Sequence, residues 1–227
     1  MNSEKILLPE PFHSLTGGIE KGAITNFYGP PGVGKTNVCI LAMLECIKKG
    51  GKVVYIDTEG GLSPERIRQV SMGDDNVFKN VILIEPKTFE EQGVVIKNLE
   101  NQDFEMLVLD SSVALYRLKC ADPTKETLEA NKELSIQLSI LSNLARRKKI
   151  PVIITAHTFK NWETGENQII GGDSIKYWSK SIVFVEHTGK MGERKATIVK
   201  HRSMPEGKSV KFEIVQEGVR PSGFRIF

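Results

Sequence analysis

Eight consecutive residues, Gly29-Pro30-Pro31-Gly32-Val33-Gly34-Lys35-Thr36, satisfy the spacing G-x-x-x-x-G-K-[ST]. Glycines at these places let backbone N–H groups turn toward phosphate oxygens, and a helix starting at Lys35 adds the partial positive charge of its N-terminus. Lys35 is then set to reach the β- and γ-phosphates of a nucleotide, and Thr36 to ligate Mg²⁺. The context agrees, because an apolar run of strand character, Ala23 to Tyr28, ends directly before the loop. The Asn-Lys pair at Asn131-Lys132 is followed by Glu133 and Leu134, so the guanine-reading quartet Asn-Lys-x-Asp is not formed. ATP with Mg²⁺ is the expected ligand.

Two further clusters supply the chemistry a phosphate loop lacks. Met106-Leu107-Val108-Leu109-Asp110 is an apolar run ending in a carboxylate, which suits holding Mg²⁺ through water at the C-terminal edge of a sheet. Tyr55-Ile56-Asp57-Thr58-Glu59-Gly60 is a second such run with two acidic residues at its end. Glu59 is the candidate for polarising an attacking water near the γ-phosphate. Asp57 is its rival, or else shapes the turn that carries Glu59.

The elements that must position these groups are readable as alternating strands and helices, the pattern of a largely parallel sheet. Strands are expected at Ala23 to Tyr28, Val53 to Asp57, Val81 to Ile84, Met106 to Asp110 and Val152 to Thr155. Helices are expected between them, at about Lys35 to Lys48, Pro64 to Ser71, Phe89 to Asn101 and Lys125 to Lys148. In the last, Leu134, Leu138, Leu141 and Ala145 recur at helical spacing. Its basic tail, Arg146 to Lys149, complements the negative end of the helix dipole or else touches phosphate. After Gly172 the pattern changes to short alternating strands near Ser181 to Glu186, Ala196 to Lys200 and Val210 to Val215. These are expected to extend the same sheet with antiparallel partners.

At 227 residues, with no repeat and no linker-like tract, one α/β domain spanning 1–227 is expected. The hydrophobic share of 40% is ample for a core, and no stretch is apolar enough to span a membrane. No secretory signal is readable at the start, and the odd set Cys39, Cys46 and Cys120 reads as free thiols in a reducing cytoplasm. A net charge of +3 permits nucleic-acid binding without requiring it.

The string Asp57-Thr58-Glu59-Gly60-Gly61-Leu62-Ser63-Pro64-Glu65-Arg66-Ile67 resembles the RecA/RadA recombinase family, most closely its short archaeal RadB branch. Ser14 to Gly22, Phe89-Glu90-Glu91-Gln92 and Met204-Pro205-Glu206-Gly207 extend the resemblance over nearly the whole chain. It implies a RecA-type P-loop ATPase core in which Glu59 is the catalytic carboxylate and Arg66 lies over the adenine ring. A solvated helix charge is the plainer reading of Arg66. His157 falls where the family carries a γ-phosphate-sensing Gln, and a His there is a departure that can still donate a hydrogen bond. Lys200 and Arg202 fall in a region that faces a neighbour's nucleotide in RecA-like filaments, so they are candidates for acting in trans across a homodimer, or else they line a solvated strand edge.

The resemblance also places DNA-contacting loops at Val113 to Lys125, holding Tyr116, Arg117 and Lys119, and after His157, holding Phe159, Lys160 and Trp162. Basic groups with aromatics suit single-stranded DNA, although Tyr116 and Trp162 can equally plug the rim of a core. The family's N-terminal helix-hairpin-helix domain and its Phe-x-x-Ala docking segment have no counterpart in the chain, so filament formation and strand exchange are not expected. The implied role is a slowly hydrolysing, nucleoid-associated recombination accessory factor, with a RadA-type recombinase and a Holliday-junction resolvase as partners. A KaiC-like regulatory ATPase or autokinase, or an ATP-dependent interaction module, are the alternatives.

Overall fold

Val53–Asp57, Met106–Asp110 and Pro151–Ala156 are buried at every residue, as strands covered on both faces must be. A computed structural model describes residues 5–120, 125–160, 165 and 167–223. Its strands are β1 (Lys5–Ile6), β2 (Ile19–Glu20), β3 (Ala23–Tyr28), β4 (Val53–Asp57), β5 (Val81–Ile84), β6 (Met106–Asp110) and β7 (Pro151–Ala156). They continue with β8 (Thr158–Lys160), β9 (Asn167–Ile169), β10 (Ser179–His187), β11 (Glu193–Lys200), β12 (Ser209–Val215) and β13 (Gly218–Pro221). The helices are α1 (Phe12–Thr16), α2 (Lys35–Lys48), α3 (Pro64–Val70), α4 (Phe89–Asn98), α5 (Ala114–Lys119), α6 (Lys125–Lys148) and α7 (Gly172–Trp178).

Among the described residues the main sheet has nine strands in the order β13-β12-β11-β10-β3-β7-β6-β4-β5. The six from β10 to β5 run parallel, and β11, β12 and β13 add antiparallel pairs beyond β10. The expected strand near Ser181 to Glu186 thus has a parallel partner on one side, β3, and an antiparallel one only on the other. This is an open, mostly parallel α/β core with helices on both faces.

The period-2 alternation of the strands sorts their side chains into two cores. One, holding Phe12, Leu15, Val38, Met43 and Ile67, packs α1, α2 and α3 on one face. The other, holding Phe89, Ile96, Leu134, Leu138 and Leu141, packs α4, α5 and α6 on the opposite face. Cys39 and Cys46 are buried free thiols on α2, as their spacing suggests. α3 starts where the sequence supplies an N-cap: the Ser63 hydroxyl accepts the Arg66 N–H at 3.2 Å, with Pro64 in the first turn. α4 is ten residues long and is followed by a 3₁₀ turn at Leu99–Asn101, so the helix expected to Asn101 tightens over its last residues.

This arrangement brings the C-terminal ends of β3, β4, β6 and β7 to one edge of the sheet. Gly29, Thr58, Ser111 and His157 follow those strands directly. Ligands of open parallel sheets bind at that edge.

Candidate functional site: a nucleotide site at the C-terminal edge of the sheet

The phosphate loop is held in shape by steric necessity at two glycines. A Cβ on Gly29 would stand 1.9 Å from the Val185 carbonyl oxygen, so the loop packs directly on β10. Gly34 has φ +98° and a Cβ there would meet Ile214 Cδ1 at 2.6 Å. Gly34 is also the N-cap of α2, and no side chain caps that helix and no acid sits in its first turn. Its N-terminal N–H groups are thus left for a ligand, and an anion is what they suit. Lys35 is buried, and its Nζ donates to the carbonyl oxygens of Gly29 and Pro30, each at 2.9 Å. Burial pulls its pKa below the usual lysine value, against the opposing pull of Asp110 and Glu59. A phosphate would therefore meet a cation already inside the loop.

Asp110 is the hub of the site. Its Oδ2 accepts the Thr36 hydroxyl at 2.7 Å and the Tyr55 hydroxyl at 2.8 Å, and its Oδ1 accepts the Thr155 hydroxyl at 2.5 Å. Burial pushes the Asp110 carboxyl above the usual aspartate value, opposed by those three bonds. Thr36 and Asp110 thus sit side by side as expected for a hydroxyl and a carboxylate around Mg²⁺, and a hard cation suits that oxygen set. Tyr55 and Thr155 were not among the sequence candidates. Their signal was a hydroxyl-bearing residue inside each of two apolar runs, one or two positions from the strand end.

Asp57 is turned into the chain rather than toward a ligand. Its Oδ1 accepts the N–H groups of Glu59 at 3.0 Å and Gly60 at 2.8 Å, and its Oδ2 that of Leu62 at 2.8 Å. It shapes the turn that presents Glu59, which removes it as a rival base. Glu59 Oε1 lies 2.5 Å from His157 Nε2, and the two side chains are 37% and 12% exposed. That hydrogen bond is the main cause of a Glu59 pKa below the usual value, with burial opposing it.

Arg66 is not a solvated helix charge. Its Nε donates to Asn37 Oδ1 at 2.7 Å, and its other four N–H groups reach Gln69 Oε1 and the carbonyl oxygens of Gln216, Val215 and Gly218 at 2.8–3.2 Å. All five donors lie in the guanidinium plane, so the faces of the group are not used by these bonds. An adenine ring over one face is compatible with this geometry.

The other candidates fall elsewhere. Tyr116 is buried, its ring edge-on to Phe89 at 5.8 Å and its hydroxyl donating to Asn131 Oδ1 at 2.6 Å. Base stacking by this ring is corrected to a core role, because α5 rolls it inward onto α4 and α6. Arg117 is exposed on α5, and Lys119 pairs with Glu90. Phe159 is 48% exposed and Lys160 is exposed, both on the β8–β9 hairpin. An open cleft of about 760 Å³ lies beside the hairpin, lined by Phe159, Asn167, Gln168, Tyr28 and an edge of Tyr116 among others. Trp162 and 121–124 lie outside the described residues.

Lys200 donates to the Lys176 carbonyl at 2.6 Å. Arg202 pairs with Glu20, by the start of β3 and so at the opposite end of that strand from the phosphate loop. Neither residue reaches its own chain's phosphate loop.

A parallel sheet ordered in this way, with a phosphate loop after β3, a carboxylate at the end of β6 and a second after β4, defines a RecA-type P-loop ATPase core. The Rad51 family model matches residues 12–222. "DNA repair and recombination protein RadB" of Methanosphaera stadtmanae is 41% identical over 228 residues, covering 96% of this chain and 97% of that protein. The protein of the same name from Methanococcus maripaludis strain C5 is 46% identical over 209 residues, covering 90% and 94%. A solved structure described as the RadB recombinase superposes with a TM-score of 0.78 at 32% identity, covering 92% of this chain and 96% of that one. The chain belongs to the Rad51 family, in its archaeal RadB branch. Among the described residues no helix is long and apolar enough to cross a membrane.

Proposed function

We propose that this chain is a Mg-ATP-dependent, DNA-binding accessory factor of repair and recombination that assists a RadA-type recombinase. One observation carries the reading: the residue in contact with Glu59 also anchors the hairpin next to the open cleft. His157 binds Glu59 through its ring, and its carbonyl accepts the Ile170 N–H at 2.9 Å where β9 ends. Events at the γ-phosphate end of the nucleotide site are thereby two residues from exposed Phe159 and three from exposed Lys160.

The chain's own residues divide the chemistry. Lys35 leaves the carbonyls of Gly29 and Pro30 and moves onto the β- and γ-phosphates, while the N–H groups at the start of α2 hold the β-phosphate. Thr36 would hold Mg²⁺ directly and Asp110 would hold it through water, and the ion would supply neutralisation of charge on the phosphates. Glu59 takes a proton from water once its carboxylate is released by His157, which turns to donate toward the γ-phosphate. Both Lys35 and Glu59 begin engaged elsewhere, which favours weak turnover. Arg117 and Lys160 supply phosphate contacts for single-stranded DNA beside the cleft.

The names borne by the relatives, DNA repair and recombination proteins, support the biological setting. Within it, the proposed partners are DNA, a RadA-type recombinase, a Holliday-junction resolvase and a second copy of this chain, in the cytoplasm at the nucleoid. The second copy would give Lys200 and Arg202 a nucleotide to face. The test is phosphate release with and without single-stranded DNA, for the wild-type chain and Glu59→Gln. Slow, DNA-responsive release that falls at least about 100-fold in the variant, with ATP binding kept, is the expected result. Equal release by both proteins would overturn the assignment of Glu59.

A further inference from the structure

We infer that Tyr55 and Thr155 are positioning residues that orient Asp110 for the metal, an inference that rests on the Mg-ATP reading above. An aspartate carboxylate has about four lone-pair sites. Three of them are taken here by hydroxyls from three different elements: Thr36 on α2, Tyr55 on β4 and Thr155 on β7. Tyr55 and Thr155 are both fully buried, so each hydroxyl needs a partner inside the protein, and each has Asp110.

The geometry fixes both rotation and occupancy. Tyr55 stands opposite Val108, not Asp110, in the parallel register of β4 and β6, so its long ring reaches two residues up the neighbouring strand to the carboxylate. Thr155 holds the other oxygen from the opposite flank of β6. Together they fix the carboxylate plane from both sides. The remaining site, on Oδ1, is the one left for a metal-bound water. Because the Thr36 proton is committed to Oδ2, the lone pairs of the Thr36 oxygen are turned away from Asp110 and are free for the ion. A loosened carboxylate would release both constraints at once.

The test uses the full chain and the isosteric variants Tyr55→Phe and Thr155→Val, each removing one hydroxyl. Binding of a fluorescent ATP analogue is measured in EDTA and then across a Mg²⁺ titration, alongside thermal melting. The free Mg²⁺ giving half of the metal-dependent gain in affinity is expected to rise about 10-fold in each variant, as outer-shell losses do. Affinity in EDTA should stay within about twofold of wild type on the same account. A role in packing alone would instead lower melting temperature and EDTA affinity together and leave the Mg²⁺ midpoint in place; that pattern overturns the proposal. If Tyr55→Phe fails to fold, Thr155→Val decides the matter from the other oxygen. A wild-type chain with no metal-dependent gain would overturn the Mg-ATP reading and this inference together, whereas unchanged midpoints in the variants would overturn this inference alone.

Discussion

His157 Nε2 and Glu59 Oε1 lie 2.5 Å apart, joining the end of β7 to the turn after β4 across the mouth of the nucleotide site. The bond holds the Glu59 carboxyl below its ordinary value of 4.5. A carboxylate whose folded pKa is depressed contributes stability that is present above its unfolded pKa and is lost as pH falls through the folded one. His157→Ala should therefore be less stable than wild type near pH 6, with the difference shrinking below about pH 4.5. At 37% exposure of Glu59, screening keeps the difference below about 1 kcal/mol. Urea unfolding of both proteins from pH 3 to 7 measures it; a gap that widens in acid would contradict the pairing.

Asp110 carries the opposite sign. Burial raises its pKa, so its ionised form costs stability in the nucleotide-free protein, and that cost is absent below the unfolded pKa and grows as pH rises through the folded one. Asp110→Asn removes the charge while the three hydroxyls reorient around the amide. The nucleotide-free variant should melt no lower than wild type at pH 7. Saturating Mg-ATP gives a stabilisation of about 3 kcal/mol at a hundred times Kd, roughly 6–12 °C for a chain of this size, and the Mg²⁺-dependent part of it should be lost. Calorimetry with and without Mg-ATP checks both halves. A variant that melts well below wild type, or keeps the whole Mg-ATP shift, fails the account.

Arg66 ties α3 to α2 and to the turn between β12 and β13, a sequence separation of about 150 residues. Arg66→Ala leaves three backbone carbonyls and the Asn37 oxygen without this donor, at a cost of roughly 1–3 kcal/mol. Arg66→Lys should rescue little of it, because an ammonium cannot reproduce a planar five-donor fork. Melting together with amide exchange over Ser209–Pro221 reports the effect. Full protection of that hairpin in Arg66→Lys would show that charge, not the fork, is what holds it.

The sequence carried the central strands because each is an apolar run bounded by glycine, proline or a carboxylate, and α6 because Leu134, Leu138 and Leu141 keep one face. α5 was not legible: six residues show no period, and the helix is held by tertiary partners, Phe89 beside Tyr116 and Asn131 on its hydroxyl. The same inward turn decides Tyr116, which the sequence leaves open between a base-stacking ring and a plug of the core, in favour of the core. Local motifs put Lys35, Thr36, Asp110 and Glu59 forward from spacing alone. The Tyr55 and Thr155 hydroxyls depend on strand register, and the Arg66 knot on a distant turn, and neither is written in any short window.

The central claim is tested most directly by fluorescence anisotropy of a labelled single-stranded oligonucleotide, titrated with the full chain across a salt series with and without Mg-ATP. The account predicts nanomolar to micromolar binding at low salt that weakens as salt rises, as phosphate contacts require, and that changes when Mg-ATP is added. No binding at low salt in either nucleotide state would contradict a direct role on DNA.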